Sequence, residues 1–206
     1  MGRGAAKAEA RRQQVLDAAL EVFSRDGYGN AAVEDIARAS STSKGGLYFH
    51  FPSKQALFLA LLDEAGSLLL RRVEQAMAAE ADPLARGDAA LRAVLSTFGK
   101  NRTLARLLLV EALGAGKEFN AKLGELHAAF ARIIARYLDE AIAAGALPPH
   151  DTTLAGVAWF GAVNQVVTRW VLTGEPDRLE DAYPALRRLL LYGVAGPGDD
   201  NETEAR

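Results

Sequence analysis

The chain has 206 residues, half of them hydrophobic, enough to bury one large core or two modest ones, and its formal net charge of −2 argues against a generic nucleic-acid coat. The absence of cysteine excludes disulfide frameworks, thiolate catalysis and cysteine-ligated zinc together. Charge is unevenly spread, with eight Lys/Arg against six Asp/Glu in residues 1–54 and 16 against 20 in the rest, so a mildly basic head precedes an acidic body.

The N-terminus runs from Met1 through Arg3 and Lys7 into a charged helical pattern with no signal-peptide core, so cytoplasm is the expected compartment. Residues 1–9 read as a flexible basic arm. Val15, Leu16, Ala19, Leu20, Val22 and Phe23 recur at helical spacing, and Gly27 stands where a left-handed C-terminal cap is expected. Val33, Ile36 and Ala37 begin a second short helix that runs into the polar cluster Ser40 to Ser43; Leu47, Tyr48, Phe49 and Phe51 then make a third before Pro52.

Ser53 is a good N-cap for a long helix through Leu57, Phe58, Leu61, Leu62, Leu68 and Leu69, predicted to connect two domains over 56–82. Helical periods follow at about 88–99, 102–114 and 118–144, the last ended by Gly145 and Pro148-Pro149. Asp151 caps a helix to about Thr173 that stops at Gly174, and Asp177 with Glu180 makes a capping-box-like start for the last one. Pro184 inside that segment must kink or restart it, because proline lacks the amide donor. Residues 196–206 are polar and Gly-rich, and disorder is expected there. The apolar stretch from Leu154 to Leu172 contains Asn164, Gln165 and Arg169, so it reads as a buried helix and no membrane association is expected. Without strand alternation or a solenoid repeat the class is all-α.

Two short helices around a tight turn fit a helix-turn-helix over 10–55, and equally any small three-helix core. The block Leu47-Tyr48-Phe49-His50-Phe51 followed by Ser53-Lys54 and Leu57 separates the two, because it closely resembles the TetR family of bacterial regulators. Gly27-Tyr28, Val33, Ile36-Ala37, Ser43 and Gly45 also fall where that family's N-terminal motif has them. The resemblance implies an N-terminal three-helix DNA-binding domain joined to a larger helical domain at 83–195 for ligand binding and dimerisation. It also implies a regulator, commonly a repressor, that binds a palindromic duplex operator as a homodimer through its last two long helices and is released by a small-molecule effector.

On that reading Ser43 and Lys44 begin the recognition helix and face base edges, with Phe49 available to a thymine methyl and Gly45 and Gly46 at the groove. The Tyr48 hydroxyl and the His50 imidazole suit phosphates, while Leu47 and Phe51 anchor the helix. Lys54, at a helix N-terminus, also suits a phosphate oxygen. Lys7, Arg11 and Arg12 either follow the DNA backbone or belong to a solvated leader. Two glycines in so short a helix predict partial fraying until DNA orders it.

The sequence departs from the family at Ala31-Ala32, where a capping, phosphate-touching hydroxyl is usual; Asn30 is the candidate replacement cap. At Ser40-Ser41-Thr42 a serine takes the turn position usually given to glycine, so it must accept a poorer backbone conformation or shift the turn.

In the second domain, polar residues set in apolar patterns are the pocket candidates: Arg106, Asn164, Gln165 and Arg169. Phe98, Phe119, Phe130, Trp159 and Trp170 are the candidate walls, which suits an apolar or amphipathic effector. For each polar candidate an internal hydrogen bond is the alternative role. Three histidines and scattered carboxylates supply no metal spacing, nucleophile motif or cofactor fingerprint, so neither an enzyme nor a cofactor is expected. The competing reading is a ligand sensor or carrier whose DNA-binding head no longer reads an operator.

Overall fold

The computed structural model describes residues 3–113 and 115–193, and all regular structure among them is helical. The helices are α1 (Arg3–Asn30), α2 (Val33–Ala39), α3 (Lys44–His50), α4 (Lys54–Ala78), α5 (Pro83–Lys100), α6 (Arg102–Arg106), α7 (Lys117–Ala143), α8 (Thr152–Thr173) and α9 (Tyr183–Tyr192). Residues 194–206, which include the expected disordered tail, lie outside the described residues.

Packing divides the chain into two compact units, one from Met1–Arg72 with Lys100–Phe130 and the other from Val73–Gly99 with Ala131–Arg206. Residues 100–130 pack within the first unit, together with the helix-turn-helix.

In the first unit the apolar stripe of α1 is buried as its spacing predicts, from Val15 and Leu16 to Val22 and Phe23. The helix begins at Arg3, so the described part of the expected flexible arm is helical. Gly27 has φ 75° and ψ 160°, a positive φ that favours glycine but not the left-handed helical cap expected there. The chain makes one more turn, closed by Ala31 N–H donating to Gly27 O at 3.1 Å.

Phe23, Tyr28, Phe58 and Phe119 form the aromatic centre of this unit. Phe58 sits 4.9 Å from Phe23 and 5.0 Å from Phe119 in the edge-on contacts that aromatic quadrupoles favour, and 4.9 Å from the tilted Tyr28 ring. The predicted 102–114 helix is instead α6 followed by a π-helical turn, Leu107–Glu111, marked by Ala112 N–H donating to Leu107 O at 3.1 Å. Ser24 fixes this segment to α1 by donating its hydroxyl to Thr103 O at 3.0 Å.

In the second unit Leu95, Phe98, Tyr137, Leu138, Val167, Trp170, Leu179 and Leu186 are buried. A Cβ on Gly156 would lie 2.6 Å from Ala131 O, so α8 packs against α7 with backbone nearly in contact. Asp151 accepts from Leu154 N–H at 2.9 Å, and Gly174 ends α8 in the left-handed conformation, φ 81° and ψ 6°. Pro184 restarts the helix: a 3₁₀ turn, Leu179–Ala182, precedes α9, and the proline occupies the first turn where its missing N–H costs nothing. The capping box expected of Asp177 is absent, because Arg178 precedes that turn and makes no side-chain cap. Among the described residues no helix is long and apolar enough to cross a membrane.

Candidate nucleic-acid interface

The helix-turn-helix is α2 and α3, joined by Ser40 to Ser43. Ser43 is the N-cap of α3, with its hydroxyl accepting from Gly46 N–H at 3.0 Å. This bond satisfies an otherwise orphaned amide in a helix weakened by two glycines. Leu47, fully buried, and Phe51 at 3% exposure anchor the inner face, as expected. The outer face presents Ser43, Lys44, Gly45, Tyr48 and Phe49, and Phe49 is 83% exposed. His50 is half-buried, with its ring edge-on to Phe49 at 5.3 Å.

The two glycines of α3 differ. A Cβ at Gly46 would sit 2.8 Å from Thr42 Oγ1 and 3.3 Å from Ser43 Oγ, so any larger residue there must displace the Thr42 hydroxyl. A Cβ at Gly45 would meet nothing within 4 Å. Gly45 is therefore conformationally dispensable within the chain.

The turn takes the strained option. Ser41 adopts φ 51°, the one positive φ at a non-glycine among the described residues, and Arg11 Nη1 donates to its carbonyl at 3.4 Å. Ser40 is buried and donates to Ala37 O at 3.2 Å. At the start of α2, Ala32 is the N-cap with no side-chain bond. Asn30 does not replace it: as the last residue of α1 it donates back to Asp26 O at 3.3 Å.

The basic candidates separate by partner. Lys7 is exposed on the first turns of α1, and Arg11 lies beside the turn. Arg12 is engaged within the unit, 3.6 Å from Glu9, 3.8 Å from Glu64 and 5.3 Å over the Phe51 ring. Lys54 donates to Gly29 O at 3.2 Å and lies 4.8 Å over the Tyr28 ring, and burial lowers its pKa from the ordinary lysine value. Lys44 pairs with Glu34 of α2. Glu34 gave no signal in the sequence, being ten residues from its partner and on another helix.

The pocket candidates are not brought together in one unit. Phe98, Trp159, Asn164, Gln165, Arg169 and Trp170 belong to the second unit, whereas Arg106, Phe119 and Phe130 belong to the first. Phe119 is spent on the aromatic centre beside α1. Arg106 is exposed and paired with Glu111 at 3.1 Å, and Arg169 is exposed and paired with Glu175 at 3.0 Å. Gln165 faces outward, while Asn164 and Trp159 are half-buried, with Trp159 6.2 Å from the Tyr137 ring.

A capped recognition helix with an exposed polar and aromatic face, anchored by Leu47 and Phe51 at the head of an all-helical chain, defines a helix-turn-helix transcriptional regulator. Residues 15–61 match the family described as "Bacterial regulatory proteins, tetR family", and residues 80–186 match "Tetracyclin repressor-like, C-terminal domain". The chain belongs to the TetR family. It is 25% identical over 182 residues to the fatty acid metabolism regulator protein of Bacillus subtilis (strain 168), covering 88% of this chain and 94% of that one. Two solved structures share the fold. The fatty acid degradation regulator FadR of Bacillus halodurans superposes with a TM-score of 0.85 at 24% identity, over 91% of this chain and 97% of that one. FadR of Bacillus subtilis, in complex with stearoyl-CoA, gives 0.83 at 24% identity, over 88% and 98%.

Proposed function

We propose that the chain is a cytoplasmic transcriptional repressor that binds a palindromic operator as a homodimer and is released from it by a long-chain acyl-CoA. The observation that carries the DNA-binding part is the outward face of α3, where Ser43, Lys44, Tyr48 and Phe49 are free of the core while Leu47 and Phe51 hold the helix. Domain roles follow the chain, with the head at 10–55, the connector at 56–82 and effector binding and dimerisation at 83–195.

Dimerisation is supported by α8 and α9. Val167, Trp170 and Val171 are buried, yet Leu154, Val157 and Leu172 on α8 and Leu189 and Tyr192 on α9 are exposed, which leaves an apolar face for a second copy. The acyl-CoA assignment draws on the FadR complex with stearoyl-CoA and on the fatty acid metabolism regulator matched over most of its length. An effector with an apolar tail and an anionic head also suits the aromatic second unit. Release needs the effector to favour a non-binding separation of the two recognition helices by about 1–3 kcal/mol, the usual size of an allosteric coupling.

The test is a gel-shift titration on DNA from the protein's own promoter region. Stearoyl-CoA should release the complex at concentrations where free CoA does not, and release by neither would sink the effector assignment. The sensor reading, in which the head no longer reads DNA, is favoured by the uncapped Ala32 and the strained Ser41. It predicts weak, nonselective binding at every salt concentration.

A further inference from the structure

Residues 31–50, the helix-turn-helix proper, contain two cations and two carboxylates, and the structure pairs them completely. Arg38 Nη2 lies 3.2 Å from Asp35, and Lys44, the first residue of α3, pairs with Glu34 in the first turn of α2. Both members of the second pair are more than half exposed, so the contact is readily exchanged rather than locked. The hydrogen bond between them lowers the Glu34 carboxyl below its ordinary range and raises the Lys44 ammonium above its own.

This arrangement bears on how DNA is discriminated. A phosphate oxygen is only an acceptor. When Lys44 leaves Glu34 for a phosphate, the carboxylate is left beside a polyanion with nothing to replace its partner. The major-groove edge of a G·C pair differs, because guanine O6 and N7 accept from a lysine while the cytosine N4 amino group donates to a carboxylate. Both halves of the ion pair then find a substitute next to each other.

We propose that Glu34 is a specificity-determining residue: it penalises phosphate-only, nonspecific complexes and is relieved where the major groove offers a donor beside acceptors, as a G·C pair does. The inference rests on the reading of α3 as the recognition helix. It requires that removing the carboxylate strengthen binding to random DNA more than binding to operator.

Glu34→Gln tests this in the full-length protein by fluorescence anisotropy on a promoter fragment and on a random duplex of equal length, each across a salt series. Binding to random DNA should tighten about fivefold at low salt, and its log–log salt slope should steepen by about 0.9, one further phosphate neutralised by the freed Lys44. Promoter affinity should change less than twofold. An unchanged slope on random DNA, or an equal gain on both duplexes, would overturn the role of Glu34. Glu34→Ala removes the charge by a different route and carries the same expectations if the amide perturbs folding. Should the wild type not prefer the promoter fragment, the operator-specific reading fails; the salt slope on random DNA then decides the role of Glu34, with steepening for it and none against it.

Discussion

Replacing Ala32 with serine should stabilise the protein, and the size of the gain follows from local geometry. Ala32 already has the extended backbone of an N-cap, φ −93° and ψ 137°, and its carbonyl accepts from Asp35 N–H at 3.1 Å and Ile36 N–H at 3.3 Å. Only a side-chain acceptor for the first-turn amides is missing. A serine Oγ supplies one with no backbone movement, and Ala32 is half-buried, so the hydroxyl keeps access to water. Capping exchanges of this kind are worth about 0.5–2 kcal/mol. Glu34 and Asp35 already place negative charge in that turn, so the expected gain is near the middle, about 1 kcal/mol. In a chain of this length that raises Tm by about 2–4 °C. Denaturant and thermal melts of the wild type, Ala32→Ser and Ala32→Val measure it, valine being the control without an acceptor. If serine melts with the wild type or below valine, the assignment of Ala32 as an uncapped N-cap is wrong.

Ser41→Gly should also stabilise, by about 0.5–1 kcal/mol, because relief of a left-handed backbone outweighs the added chain entropy, while Ser41→Val should destabilise; parallel melts rank the three. Gly45→Ala should gain about 1 kcal/mol of helix stability without a clash, whereas Gly46→Ala meets Thr42 and should lose stability, as denaturation of each variant will record. Phe119→Ala should cost about 3–5 kcal/mol as a core deletion in the first unit, and a near-neutral result would return Phe119 to the pocket wall. Tyr137 is 3% exposed, its hydroxyl has no hydrogen-bond partner, and burial pushes its pKa up to about 12. Since the unfolded phenol ionises near 10, stability should fall as pH rises from about 10 to about 12; Tyr137→Phe should remove that slope and melt no lower than the wild type.

The recognition helix was legible because its signals are local. Leu47 and Phe51, one turn apart, specify its buried face, and the polar cluster Ser40 to Ser43 marks the turn before it, whereas the Ser43 cap appears only in the structure. The strain at Ser41 was equally local. The N-terminal extension of α1 was misjudged, since its polarity suggested a loose arm while Ala5, Ala6, Ala8 and Ala10 with Lys7 and Glu9 are strong helix formers. Contacts between distant residues left no periodic trace. Glu34 reaches Lys44 from another helix, Lys54 turns back to Gly29, and Phe119 joins an aromatic centre whose other rings lie at least sixty residues earlier. The π turn at 107–111 was likewise hidden, because a run of leucines fits an ordinary helix as well.

The decisive experiment is binding of the pure protein to DNA from its own promoter region, with random competitor, a salt series and stearoyl-CoA added last. The expected result is tight, sequence-selective binding by a dimer that stearoyl-CoA reverses. Weak binding that random DNA competes away equally at every salt concentration would contradict it.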